Sequence, residues 1–334
     1  MFLVANVFTI FIALCKRKEG SNMLKKFKKI VAILFVVVLC SNTLTASAAT
    51  SVTVVPTLAY SITGLPSSNA VQNFFIGSTY IYLTQKTSSG TVYLSRCNKS
   101  TGACLDYMTL NDFGHGESLE VCPYNGINYI YITAKSYVSG DDIWSTQISR
   151  FQYSAGSTLA YTAVPRIGYM NYANTNKTNF GTVKRFNFAL STDESVFIFR
   201  VQNTSNNIQF ATYSFTDVNS LLDSVGADTA NAASIASINT LTNSFSQSPN
   251  ATNSPNGSFQ GLELSSYDNI FTAGGLTSDP YPIITKMNST GALVTTYNIP
   301  SWGGREIEGL FLYGDLYTTY KSGTYSTYIY KIIL

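Results

Sequence analysis

The sequence predicts an all-β fold, a five-bladed β-propeller, and three observations predict it. Short runs rich in Tyr, Phe, Ile, Val and Thr alternate apolar and polar residues and are broken by Gly, Asn, Ser and Asp, the period-two pattern of half-buried strands. The runs recur as five copies of a unit of about 45 residues, a spacing in the range of propeller blades. The fifth copy stops at Leu334 after three strands, and the segment 52–62 at the other end offers the strand it lacks. Within that segment Thr57 opens the string TLAYS, close to the TLAYT that begins at Thr158.

The elements follow in chain order. Each repeat opens with a strand pair, at 72–84, 118–133, 185–199, 260–273 and 308–319, with a polar or Gly-bearing turn near its middle as a hairpin needs. A third strand follows at 92–96, 146–151, 208–213, 283–287 and 328–332. Turns at Thr101-Gly102, Ala155-Gly156 and Thr290-Gly291 lead to fourth strands at 103–110, 158–164 and 292–299. Repeat three departs from the pattern, with a helix-like 217–223, a low-complexity Ala/Ser/Asn stretch and a late strand at 235–241. Pairing of 52–62 into the last blade closes the ring and leaves few free edges. A β-sandwich array is the alternative arrangement of the same runs. The segments 168–182 and 226–257 lie outside the repeat and read as exposed loops from their Asn, Ser and Pro content.

Charge separates a leader from the rest. The 334 residues carry 21 Lys+Arg and 18 Asp+Glu, a net +3. Residues 1–49 hold seven of the bases and one acid, which leaves 14 bases, 17 acids and a charge of −3 for 50–334. Such a balance disfavours a nucleic-acid partner, since that mode of binding needs a basic face. From Met23 the chain reads as a basic stretch, an apolar run at 30–39 and small residues up to Ala49, the layout of a secretory signal peptide. The run is shorter than the roughly 18 residues a membrane span requires. The expectation is therefore a leader at 1–49 with Met23 as the true start, a single secreted domain at 50–334 and no anchor after cleavage.

Cys97, Cys104 and Cys122 remain after cleavage. Cys97 and Cys104 flank a turn-rich stretch between two strands and form a candidate disulfide in an oxidising compartment. Cys122 reads as a small buried hydrophobe. The chain has one histidine and no Cys/His spacing of a zinc site, so neither a metal nor a cofactor is expected.

In a propeller the first strand of each blade lines the central channel. The first column of the repeat alignment holds Gln72, Glu117, Arg185, Gln260 and Glu308, and His115, Glu120, Glu263, Arg305 and Glu306 stand close to it. These positions predict a polar ring at one channel mouth, suited to a sugar, a phosphate or a metal. The same groups would also satisfy neighbouring backbone, as buried polar groups must. Loop aromatics Tyr169, Tyr172, Tyr281 and Trp302 offer stacking faces. Pairs such as Glu263 with Glu306 or Glu308 leave glycoside acid/base chemistry open, since it needs carboxyl separations of about 5–10 Å. No Gly-x-Ser-x-Gly elbow surrounds a serine and no phosphate-cradling Gly loop is present, so the residues favour binding over catalysis.

Several of these stretches carry a resemblance. NDFGHGESLE from Asn111, NYA from Asn171, SFQGLEL from Ser258, EIEGL from Glu306 and YLSRC from Tyr93 resemble the helveticin J family of large, heat-labile bacteriocins, with the likeness running over 70–334. The resemblance implies a secreted antibacterial protein of a lactic-acid-type bacterium that acts on the envelope of related bacteria. It supplies no catalytic residues. A secreted wall-glycan-binding module or glycoside-active enzyme is the other reading.

Overall fold

The structure, a computed structural model, describes residues 49–334 apart from 88, 141, 226–230, 267 and 322–326. The leader read at 1–49 falls, up to residue 48, outside the described residues. The remainder is an all-β five-bladed propeller with one α-helix. Blade 1 comprises Val71–Ile76, Tyr80–Lys86, Val92–Asn98 and Cys104–Asn111. Blade 2 comprises Leu119–Tyr124, Ile127–Ser139, Asp142–Phe151 and Arg166–Gly168. Blade 3 is Val183–Leu190, Val196–Asn203, Ile208–Ser214 and Phe245–Gln247; blade 4 is Gly261–Leu264, Ile270–Gly274, Ile283–Met287 and Leu293–Asn298. In blade 5 the strands Glu306–Tyr313, Asp315–Lys321 and Tyr328–Ile332 are followed by Thr57–Ser61, which pairs antiparallel with Tyr328–Ile332 in the register Thr57↔Lys331.

Local chemistry explains the strands. In blade 2 Tyr124 and Ile127 are register partners, so Asn125 and Gly126 alone make the turn. Both sit at positive φ, 51° and 78°, the backbone a two-residue hairpin of matching twist demands and the one Asn-Gly adopts most readily. Along Tyr80–Lys86 the first four residues alternate between half-buried and buried, which places Ile81 and Leu83 in a core with no exposure. Five apolar clusters are found among the described residues, one between each pair of neighbouring blades, blade 5 with blade 1 included. The cluster between blades 2 and 3 is rich in Phe; Phe186 and Phe199 meet edge to face at 5.1 Å, a contact worth about 0.5–1.5 kcal/mol beyond burial.

The first strands contact one another in ring order around the centre. Two glycines permit this. A Cβ on Gly309 would stand 2.8 Å from Asn73 Cα and Gln72 O of blade 1, and one on Gly261 would stand 2.9 Å from Leu310 N of blade 5. The recurrent Gln-Gly-Leu and Glu-Gly-Leu strings are thus close-approach positions, where a side chain would push two backbones apart.

Helix α1, Phe215–Val225, plugs the space beside blades 2 and 3. Ser214 Oγ accepts from Asp217 N at 3.4 Å, and Val218, Leu221 and Leu222 recur at helical spacing to bury one face. Its Asn219 is buried and its Oδ1 accepts from Tyr131 Oη and Arg150 Nη1, each at 2.6 Å.

Four sequence expectations are corrected. The run 158–164 is not the fourth strand of blade 2. Thr158–Ala160 lies parallel on the edge of blade 1 (Thr158↔Thr109), and a 3₁₀ turn then leads to Pro165. Pro165 has no N–H for a ladder, so the true fourth strand begins after it at Arg166. The run 235–241 is not a strand either: Ile235 is fully buried in a 3₁₀ turn whose Ser234 hydroxyl accepts from Ala236 N, and Phe245–Gln247 completes blade 3. The segment 52–62 is two strands broken at Pro56. Thr50–Thr53 runs parallel to Leu293–Asn298 of blade 4, while Thr57–Ser61 belongs to blade 5, so one N-terminal segment straps two blades. The loop 168–182 is not wholly exposed, since Met170 and Ala173 are fully buried.

Candidate functional site at one mouth of the channel

All five first strands run the same way through the centre, so their starts gather at one mouth and their ends at the other. At the mouth formed by the starts lies a cavity of about 960 Å³. Gln72, His115, Arg185, Gln260, Glu306 and Glu308 all line it. Six sequence-predicted residues, drawn from four blades and the 111–118 loop, thus come together. Glu117 stands behind the wall, 5% exposed, where both its carboxylate oxygens accept from Arg185. Three predicted residues lie elsewhere. Glu263, three residues past Gln260, and Glu120 line a smaller cavity of about 230 Å³ at the other end of the channel, with Glu194. Arg305 lies outside the cavity with its guanidinium 4.4 Å over the Tyr320 ring.

The wall of the mouth is a stack of alternating rings and cations. His115 stacks on Trp144 with ring centres 4.6 Å apart. The Arg185 guanidinium lies 3.9 Å over Trp144 on one side and 4.9 Å from Phe259 on the other. Arg200 covers Phe259 at 3.7 Å. All five side chains line the cavity. The faces of Trp144 and Phe259 hold the cations by their quadrupoles, worth about 0.5–2 kcal/mol per contact depending on desolvation. Arg185 is further fixed by Nε to Glu117 Oε2 at 2.8 Å and by Nη2 to Phe259 O at 2.6 Å, and Asn187 Nδ2 donates to the same carboxylate at 3.2 Å. This buried bidentate pair gives Arg185 a fixed orientation.

The acids of the mouth differ in state. Glu306 accepts from Gln260 Nε2 at 2.8 Å and from Lys321 Nζ at 3.3 Å. Glu308 is 4% exposed, and burial, reinforced by the charge of Glu306, pushes its carboxyl well above the usual range. Burial lowers His115 to about 4, so its ring is neutral at pH 7, with Glu117 opposing the shift. Burial also lowers Lys86.

Four buried polar atoms lining this cavity have no partner: His115 Nδ1, Trp144 Nε1, and Arg200 Nε and Nη1. Buried donors left unpaired in a native fold call for an explanation, and a ligand is one. Among the described residues no cluster of three or more His, Cys, Asp or Glu side chains suits a metal ion.

Trp144, Phe259 and Arg200 escaped the sequence reading. They come from a third strand, a loop and a second strand, whereas the alignment weighed first strands. Arg200 did carry a signal, an arginine inside the run VFIFRV in a chain with only 12% charged residues. Of the loop aromatics, Tyr169 is exposed, but Trp302 is 3% exposed in the core between blades 4 and 5 and offers no free face. Cys97 and Cys104 are register partners on neighbouring strands, and both are free thiols in the structure.

A family model described as "Bacteriocin helveticin-J" matches residues 50–307. No curated protein matches the chain. Among solved structures, the Dos1 propeller is similar at 10% identity and a TM-score of 0.38, over 79% of this chain and 67% of that one. An exo-beta-1,3-galactanase from Phanerochaete chrysosporium is similar at 7% identity and 0.46, over 82% and 63%. A GH43 endo-arabinanase from Bacillus licheniformis is similar at 8% and 0.43, over 82% and 96%.

Proposed function

The chain belongs to the helveticin-J bacteriocin family, and from that premise we propose that it is a secreted antibacterial protein that binds the envelope of related bacteria through the large channel mouth, without catalysis. The observation that carries the binding site is the layered wall His115–Trp144–Arg185–Phe259–Arg200, whose residues line a cavity large enough for a polymer unit and hold four unpartnered buried polar atoms. Pockets that bind small groups combine aromatic faces with a few fixed polar groups in this way. The amides Gln72 and Gln260 and the carboxyl of Glu308 add polar groups to the lining. The test is the purified chain on lawns and whole cells of related strains. Inhibition with saturable cell binding supports the proposal, and absence of both removes it.

One observation favours a second reading, glycoside action on a wall polymer. Glu308, its carboxyl raised by burial, and Glu306, ion-paired to Lys321, line one cavity, and glycoside hydrolysis uses two carboxyl groups of different acidity. Reducing sugar released from purified wall glycan, and lost in Glu308→Gln, favours this reading. Binding without release removes it.

A further inference from the structure

Arg200 differs from every other cation at the mouth. It stands in Val196–Asn203 with no exposed surface, between Phe199 and Val201. Its Nε and Nη1 have no partner. Its Nη2 reaches only Asn253 O at 3.5 Å and Ser254 Oγ at 3.4 Å, the outer limit of hydrogen bonding. No carboxylate is ion-paired to it among the described residues. A buried guanidinium without a counter-charge is costly, and the face of Phe259 compensates it only in part.

The acids nearby are all engaged. Glu117 is taken by Arg185, and Glu306 by Gln260 and Lys321. Glu308 is 4% exposed, and burial raises its carboxyl, which disfavours its charged form. Asp142 is exposed and acts on Lys86. Trp144 Nε1 is a second unpartnered donor, and the ammonium groups of Lys86 and Lys321 border the same space. Arg200 and Trp144 both line the cavity, so unpartnered donors lie buried in its wall around one guanidinium that has no ion-paired carboxylate among the described residues. A neutral sugar leaves that charge unmatched, and a metal ion adds to it.

We infer that the mouth is an oxyanion receptor, with Arg200 as its unmatched cation, for a singly charged phosphodiester or carboxylate group carried by an envelope polymer. The inference rests on the reading that the mouth binds the envelope, and names the chemistry recognised there. Trp144 places a reporter in the site. The chain has two tryptophans, and Trp302 is buried in the core between blades 4 and 5.

The experiment titrates the purified chain, at constant ionic strength in chloride, with dimethyl phosphate, with D-glucuronate and with neutral methyl glucoside. Tryptophan fluorescence and Tm are followed. At least one oxyanion is expected to give a saturable change that methyl glucoside and chloride do not. Arg200→Gln is expected to weaken it about ten- to a hundredfold, the range for a hydrogen-bonded charge. Lys86→Ala, at a rim position, is expected to weaken it severalfold and serves if Arg200→Gln does not fold. Saturation by dimethyl phosphate alone assigns a phosphate-linked polymer, and by glucuronate alone an acidic sugar. A wild type with no oxyanion signal beyond chloride overturns the inference, as does an equal response to methyl glucoside or an unchanged affinity in folded Arg200→Gln. Whole-cell binding is measured in parallel. Cell binding that neither anion competes away leaves the envelope reading standing without the oxyanion receptor. Oxyanion binding without cell binding does the reverse.

Discussion

Raising the pH from 6.5 to 8 should destabilise this protein, and Glu120 sets the size of the effect. Its side chain is 6% exposed at the far mouth, and one oxygen accepts from Leu190 N at 3.1 Å. Burial raises its carboxyl to about 8, against 4.5 for the free side chain. The unfolded chain therefore ionises first, and the stability Glu120 contributes is full below pH 4.5 and lost as pH rises towards 8. Each pH unit costs about 1.4 kcal/mol, so the interval from 6.5 to 8 costs about 2 kcal/mol. Glu263 and Glu308, both raised by burial, add in the same direction. His115 runs the other way, but only below 6.5, because burial lowers it to about 4. Cys104 also opposes, since the hydrogen bond with Cys97 lowers its thiol to about 7, so the comparison belongs in a Cys104→Ser background. At about 2–4 °C per kcal/mol for a domain of this size, Tm should fall by about 4–8 °C or more. Near-UV circular dichroism melts at the two pH values measure it. Glu120→Gln, which keeps the acceptor for Leu190, should flatten part of the slope. A Tm that is constant or rises with pH, or a slope untouched by Glu120→Gln, would refute the reasoning.

Glu117→Leu strands the buried Arg185 charge and should cost about 3–5 kcal/mol in chemical denaturation, whereas Glu117→Leu with Arg185→Met should recover most of it; equal losses would deny the pair its role. Gly309→Val places a branched side chain where Asn73 Cα and Gln72 O already lie 2.8 Å from a Cβ, and should lower stability by at least about 2 kcal/mol; a neutral result would show that blades 1 and 5 can part there. In an oxidising medium Cys97 and Cys104 should join and add about 2.5 kcal/mol by closing a short loop, leaving Cys122 as the one thiol of 50–334 titratable after unfolding; three titratable thiols contradict this.

The repeat was legible because it is written in local pattern. Alternation and turn residues fix strands such as Tyr80–Lys86 and Val196–Asn203 without help from the rest of the chain. The departures came where tertiary context outweighs pattern. The TLA of Thr158 reads as a strand and is one, but Pro165 sends its pairing to blade 1 rather than blade 2. Ile235 looks like the start of a strand, yet it is the apolar plug of a turn. At the site, the first-strand column located the mouth because position in a propeller strand determines depth in the channel. Glu263, read as close to that column, lies away from the mouth for the same reason: a few residues along a strand, at about 3.3 Å each, carry a side chain to the opposite end. The stack of Trp144, Phe259 and Arg200 was not legible, because its members come from different blades and meet only once the ring is closed.

The most direct test compares the two mouths in binding to whole cells. Arg200→Gln alters the large mouth, and Glu194→Gln alters an exposed position at the far one. Binding should fall at least about tenfold in Arg200→Gln and stay at the wild-type level in Glu194→Gln. Equal binding by wild type and a folded Arg200→Gln, or loss confined to Glu194→Gln, would contradict the placement of the site.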